Sequence, residues 1–189
     1  ERGFSLKTDG PLDLRLNPKS GKPASAFLKT ISEAALEDVL LENADEPYAA
    51  DIAAAIVSGL KKGRMIETTG QLKDIIKEAL DFLPAQGKTD HIKKSCQRSF
   101  QALRIAVNNE FGVLDAFLQK LPDSLVKGGK VAILSFHSGE DRRVKKAFQA
   151  LFRQGIYSEV APDPIRPSVQ EVAGNPRARS AKLRWAIKA

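Results

Sequence analysis

The chain has 189 residues, 42% of them hydrophobic and 28% charged, with one cysteine, two histidines and a formal net charge of +7. That is the composition of a packed domain, or of a domain with a small subdomain, and it excludes a disordered polyelectrolyte. A lone Cys96 makes no internal disulfide, which fits a reducing compartment, and one thiol with His91 and His137 is too small a ligand set for structural zinc. No apolar run approaches the ~18 residues of a membrane span, so no membrane contact is expected.

Charge is unevenly placed. Residues 1–141 carry 19 Lys/Arg against 20 Asp/Glu, whereas residues 142–189 carry 11 against 3. A basic C-terminal part points to a polyanion-facing surface, nucleic acid first, with a merely solvated basic face as the alternative.

In chain order, residues 1–23 hold Gly3, Gly10, Pro11, Pro18, Gly21 and Pro23 without periodicity and read as a loop that enters from something longer. Three short amphipathic helices follow on the faces of Leu36/Val39/Leu40, Ile52/Ile56/Val57/Leu60 and Leu72/Ile75/Ile76/Leu80. Pro47 falls in the first turn of the second and Gly63 after its end, while Thr68 and Gln71 have capping-box spacing for the third. Residues 84–90 form a linker. One long helix is then expected from Gln97 to Leu121, stopped by Pro122, with an apolar stripe from Phe100 to Leu121 beside a polar stripe of Gln97, Gln101, Arg104 and Asn108.

After Gly128-Gly129, the run Val131–Phe136 predicts a strand buried on both faces, as in a parallel sheet, followed by a helix over Arg143–Phe152. The Pro-rich stretch 162–167 is barred from a central strand, and Lys182–Ala189 closes the sheet. Two or three strands are too few to flank a buried strand on both sides, so its remaining neighbours are expected upstream of Glu1.

Ligands of open α/β sheets gather at the carboxyl ends of strands, which places His137 and Ser138 where a proton shuttle or substrate contact would sit. The alternatives are a histidine bonded to backbone, and Ser138 with Asp141 as a capping box. A Ser-His hydrolase is disfavoured, since no G-x-S-x-G elbow or third orienting group is present. The polar stripe Gln97/Gln101/Arg104/Asn108 either reads RNA or packs under the neighbouring helices. Arg177, Arg179 and Lys182, close in composition to Arg142, suit phosphate contacts. No Gly-x-Gly-x-x-Gly, Gly-Lys-[Ser/Thr] loop or metal-ligand cluster occurs.

Four strings carry a resemblance: Arg2-Gly3-Phe4-Ser5 with Asp9-Gly10-Pro11-Leu12-Asp13-Leu14-Arg15; Ser99 to Asn108; Ser135-Phe136-His137-Ser138-Gly139-Glu140-Asp141-Arg142; and Asn175 to Arg184. In this order they resemble the motifs of MraW-type ribosomal RNA small-subunit (cytosine-N4-)methyltransferases over essentially the whole chain. Leu125–Lys130 is similar to the turn before the fifth strand in many S-adenosylmethionine methyltransferases. The resemblance implies an α/β, class I Rossmann-like methyltransferase fold, of which this chain is the C-terminal half of the sheet with an inserted α-helical subdomain. It divides the chain into an entering loop (1–23), a helical insertion (24–95) and the C-terminal part of the methyltransferase domain (96–189). The implied activity is S-adenosylmethionine-dependent methylation of a cytidine N4 in small-subunit ribosomal RNA, by a chain that is an incomplete form. The alternative is a non-catalytic RNA- or ribosome-binding remnant of the family.

The resemblance also assigns roles. The S-adenosylmethionine pocket is expected upstream of Glu1, leaving no cofactor-binding or metal residues in this chain. Substrate positioning falls to Asp9, Asp13, His137 and Ser138. RNA binding falls to Arg15, Gln101, Arg104, Asn108, Arg142, Arg177, Arg179 and Lys182. The implied partner is small-subunit ribosomal RNA or the small ribosomal subunit, with homo-oligomerisation left open. The implied compartment is the cytoplasm, or a plastid or mitochondrion in a eukaryote. Two departures stand out: Gly139 replaces the family's usual leucine, loosening the helix entry, and Asp51 with Ala53–Ala55 replace an Arg-rich helix surface.

Overall fold

A computed structural model describes residues 2–189, and the chain divides into two compact units, Glu1–Asn109 and Glu110–Ala189. The first is helical: α1 (Ala24–Leu28), α2 (Glu33–Ala44), α3 (Ala49–Lys61), α4 (Thr69–Ala79) and α5 (Lys88–Asn108). The second is mixed: α6 (Glu110–Lys120), β1 (Lys130–Ser135), α7 (Ser138–Arg153), β2 (Tyr157–Val160), α8 (Val169–Gly174) and β3 (Lys182–Lys188).

In the first unit the expected apolar faces meet in one core. Leu36, Leu40, Ile52, Ile56, Leu72 and Ile76 are all fully buried there, joined from α5 by Ala102 and Leu103. The Thr68–Gln71 capping box starts α4, with both reciprocal hydrogen bonds formed. Pro47 lies before the first turn of α3 rather than in it, since Tyr48 is the N-cap residue.

Residues 2–23 are more tightly held than a loop reading implies. Leu12 and Leu14 enter the same core, and the Leu12 N–H donates to Glu67 O (2.8 Å) and the Leu14 N–H to Arg2 O (2.9 Å). Gly3 sits at φ +83°, where a Cβ would stand 2.7 Å from Pro11 O, so only glycine fits this crossing.

The single long helix of the sequence reading is two helices. Asn109 adopts the left-handed conformation (φ 49°) at the end of α5, a position asparagine tolerates better than most residues. The apolar stripe continues in sequence through this break, but its halves serve different cores: Phe100 and Leu103 the first unit, Leu114, Leu118 and Leu121 the second. Helix α5 also begins at Lys88, inside the expected linker, and the compact units part after it rather than at residue 95.

The sheet corrects a second expectation. Its order is β1-β3-β2 and both pairings are antiparallel, so within this chain β1 has the one-sided pairing that the strand count implied, but its partner β3 runs antiparallel rather than parallel. One face of β1 (Val131, Ile133) packs on the core with Val144, Phe148, Tyr157 and Ala186; the other leaves Leu134 half exposed. An uninterrupted apolar run does not distinguish these outcomes, because it fits any strand whose second face is only lightly polar. Strand β2, four residues long, carried no period of its own to read.

Replacing Leu40 by Ala leaves a cavity in the first core and should lower unfolding free energy by about 2–5 kcal/mol. Urea unfolding followed by circular dichroism checks this; an unchanged midpoint would contradict the packing described.

Candidate functional site

The first two motifs come together within the first unit. The Asn108 amide donates to Leu14 O (2.8 Å) and to Arg104 O (2.8 Å), and its Oδ1 accepts from the Leu16 N–H (2.7 Å). Helix α5 thereby clamps the Asp9–Arg15 segment through one side chain. Asn108 is thus a fastener inside the protein, its amide committed to backbone.

The clamp borders a cleft of about 230 Å³ whose lining includes Phe4, Leu14, Phe100, Gln97, Gln101 and Arg104. Phe4 is half exposed, with the Arg2 guanidinium 5.5 Å from its ring centre. Arg2 is itself fixed by hydrogen bonds to Arg15 O and Leu16 O. The Gln97 and Gln101 amides have no hydrogen-bond partner among the described residues. Apolar walls with an aromatic ring and open amides suit a planar heterocycle with a polar edge.

The two aspartates of the loop are engaged with their own backbone surroundings. Asp9 Oδ1 accepts from the Gly70 N–H (2.6 Å), Thr69 Oγ1 (2.9 Å) and the Gly10 N–H (2.9 Å), anchoring the loop on the start of α4. The Gly70 N–H and Thr69 hydroxyl hold its carboxyl below the usual range. Asp13 is paired with Arg15 through two bonds (2.6 and 3.0 Å), and Arg15 also donates to Gly21 O (3.0 Å). Asp9, Asp13 and Arg15 therefore shape the loop that carries the cleft.

In the second unit the strand-end motif is built around Asp141. It accepts from Arg184 Nε (2.6 Å) and Arg184 Nη2 (3.4 Å), and from Lys182 Nζ (3.3 Å), tying the start of α7 to β3. Burial opposes ionisation of Asp141, but the Arg184 hydrogen bond and charge, with Lys182, outweigh it and hold its carboxyl below the ordinary value. Arg184 is almost wholly buried, and its Nη1 has no hydrogen-bond partner among the described residues. Lys182 is thereby drawn into a structural ion cluster.

His137, not Ser138, caps α7: its Nδ1 accepts from the Glu140 N–H (3.4 Å). An accepting Nδ1 puts the ring proton of neutral His137 on Nε2, which lies 3.3 Å from Glu140 Oε1. Burial pushes the Glu140 carboxyl up, yet the His137 ring and the Phe136 N–H together hold it below its usual range. Ser138 is the first residue of α7. Of the remaining cations, Arg142, Arg177 and Arg179 are exposed, the last two on a 3₁₀ turn (Pro176–Ser180) opened by an Asn175 cap.

Gly139 does not loosen the helix entry. A Cβ there would stand 2.6 Å from Phe111 Cζ and 3.3 Å from His137 Nδ1, so the Phe111 ring occupies the space a larger side chain would need. Phe111 lies 5.9 Å from the His137 ring and 4.1 Å from the Arg143 guanidinium. Sequence reasoning missed Phe111, Asp141 and Arg184. A signal for Arg184 exists: alternation along Lys182–Lys188 puts it on the face of buried Ala186, where an unpaired arginine is unaffordable.

The chain thus combines a small α/β unit carrying a capped strand-end motif with a helical unit holding a cleft. The sequence profile of the MraW methylase family matches residues 1–189, and the chain belongs to that family. It is 65% identical over its full length to ribosomal RNA small subunit methyltransferase H 2 of Alkaliphilus metalliredigens, covering 54% of that protein. It is 61% identical to ribosomal RNA small subunit methyltransferase H 1 of Lachnoclostridium phytofermentans, covering 52%. The chain spans about half the length of these curated relatives.

Two outcomes follow. Gly139→Leu should destabilise the second unit by about 1–3 kcal/mol through overpacking against Phe111, and Phe111→Ala in the same chain should recover part of the loss. Thermal unfolding of the single and double variants reads this directly. Asp141→Asn should cost about 3–5 kcal/mol by leaving Arg184 uncompensated. Because the folded carboxyl lies below its unfolded value of ~3.9, the stabilisation is complete above that pH and disappears as pH falls through the folded value. Urea midpoints from pH 7 to pH 2 should fall more steeply for the parent than for the variant.

Proposed function

We propose that this chain is the RNA-facing part of an S-adenosylmethionine-dependent methyltransferase that modifies a cytidine N4 in small-subunit ribosomal RNA. One observation carries the reading: the cleft of the first unit, assembled from the two motifs that Asn108 clamps together, presents Phe4 beside the open amides of Gln97 and Gln101. Family membership and the names of the relatives supply the reaction class.

In this reading the cofactor is held outside this chain. The hollow at the carboxyl end of β1, bounded by Ser135, Glu140 and Phe111, measures about 110 Å³, against ~300–1,000 Å³ for pockets that take ligands of this size. S-adenosylmethionine supplies the methyl group, and its pocket belongs to the part of the relatives' length outside this chain. The outer face of the sheet, a further apolar hollow against Ala132, Leu183, Trp185 and Ile187, is covered in that arrangement by the rest of the methyltransferase sheet and its helices.

The amine of cytosine is a weak nucleophile because its lone pair is delocalised into the ring, so catalysis rests mainly on positioning. In this reading the half-exposed Phe4 stacks on a base above the floor that buried Phe100 helps to form, and Gln97, Gln101 and Arg104 bond its edge or neighbouring phosphates. Asp9, Asp13 and Arg15 keep the loop in shape. Arg142, Arg177 and Arg179 meet phosphates, giving salt-dependent affinity. His137 caps α7 and Ser138 begins it, so their part in this reading is to fix the strand-end turn with Glu140.

Titrating S-adenosylmethionine calorimetrically into this chain, and into the chain joined to the remaining part of a relative, tests the reading. Binding and methylation of small subunits by the joined protein are expected, with Gln101→Ala lowering methylation at least tenfold. A joined protein that binds ribosomal RNA but transfers no methyl group would replace the enzyme with the non-catalytic RNA-binding alternative.

A further inference from the structure

A second feature of the first unit lies outside the cleft. Tyr48 just before α3, Phe82 just after α4 and His91 on α5 converge on the surface although 43 residues separate the first from the last. The Tyr48 ring is edge-on to Phe82 (centroids 6.2 Å, 76°) and to His91 (6.3 Å, 68°), and its hydroxyl lies 3.3 Å from His91 Nδ1. Phe82 is 64% exposed, so a large apolar face is left to solvent while Leu80, two residues earlier, is fully buried. The turn bearing Phe82 is fixed: Lys88 Nζ donates to Asp81 O (2.5 Å) and Asp81 Oδ1 (2.7 Å). A ring held open on an ordered turn differs from one that merely failed to find the core.

The cluster also stands at one end of a continuous polar track. From His91, the positions Lys94, Arg98, Gln101, Arg104 and Asn108 recur along α5 at intervals of three and four, one stripe about 25 Å long at 1.5 Å per residue. Its far end is the cleft beside Phe4. Lys94 and Arg98 have no ion-pair partner among the described residues, and with Lys93 they outnumber the nearby Asp90. Open aromatic faces joined to unpaired cations along a groove or ridge are the features that hold unpaired nucleic acid: rings stack on bases of any sequence while cations track phosphates.

We propose that α5 is a guide rail for single-stranded RNA, with Phe82, flanked by Tyr48 and His91, as a base-stacking platform at one end and the Phe4 cleft as the station at the other. The proposal rests on the RNA reading above and adds to it the unpaired state of the substrate and a second contact point. A protein partner is the less suitable occupant, because a lone ring among cations offers no apolar groove to bury.

Fluorescence anisotropy with the 189-residue chain, a labelled single-stranded ribosomal RNA oligonucleotide and a duplex of the same sequence tests this. Phe82→Ala should weaken single-strand binding about tenfold, the size of one base–ring contact, and leave duplex binding unchanged; Phe82→Tyr should bind as the parent does. Lys94→Ala with Arg98→Ala should flatten the dependence of log affinity on log salt by about 1.4. Single-strand affinity unchanged in Phe82→Ala, or an equal loss for the duplex, overturns the platform while the RNA reading stands. A parent chain with no salt-dependent RNA binding at all overturns both.

Discussion

Two adjacent asparagines decide how this chain is organised. Asn109 turns left-handed and ends α5, so that a stripe of apolar residues continuous in sequence is shared between two cores. Asn108, the last residue of the helix, spends its side chain on the backbone of Leu14 and Leu16. Helix termination and loop anchoring thus occur at one place. The cleft of the first unit follows from it: the Asp9–Arg15 segment is held against α5, Arg2 reaches Arg15 O, and Phe4 stands beside Gln97 and Gln101.

Charge does structural work before it does functional work. Acidic and basic side chains of the motifs pair first with one another: Asp13 with Arg15, Asp141 with Arg184 and Lys182, Asp9 with the start of α4. Buried or half-buried charges need partners, and the motifs supply them locally. What remains outside these pairs is the open amides of Gln97 and Gln101, with Lys94, Arg98 and the exposed Arg177 and Arg179. A residue of these motifs therefore need not touch substrate. Asp141 and Asp9 are positioned to hold the segments on which contact residues ride.

The same economy explains Gly139. With no side chain at that position, Phe111 fills the entry to α7, where it meets both His137 and Arg143. The change at one position and the aromatic ring from α6 are two halves of one packing solution. The glycine costs some helix propensity, and the interlocked ring restores order by contact.

The four motifs, the helical faces, the capping box at Thr68 and the closing strand Lys182–Lys188 were legible in the residues themselves, because each is a local pattern of side-chain chemistry at fixed spacing. Family membership rests on those same strings. Tertiary structure alone decided the rest. It set β1 antiparallel to β3, since a short apolar run carries no record of its neighbours' direction. It moved the cap of α7 from Ser138 to His137, because the choice depends on backbone angles. It also made Asn108 a clamp and Arg184 a buried partner, and brought Tyr48, Phe82 and His91 together, since each of these contacts joins segments tens of residues apart and is fixed only when the core between them closes.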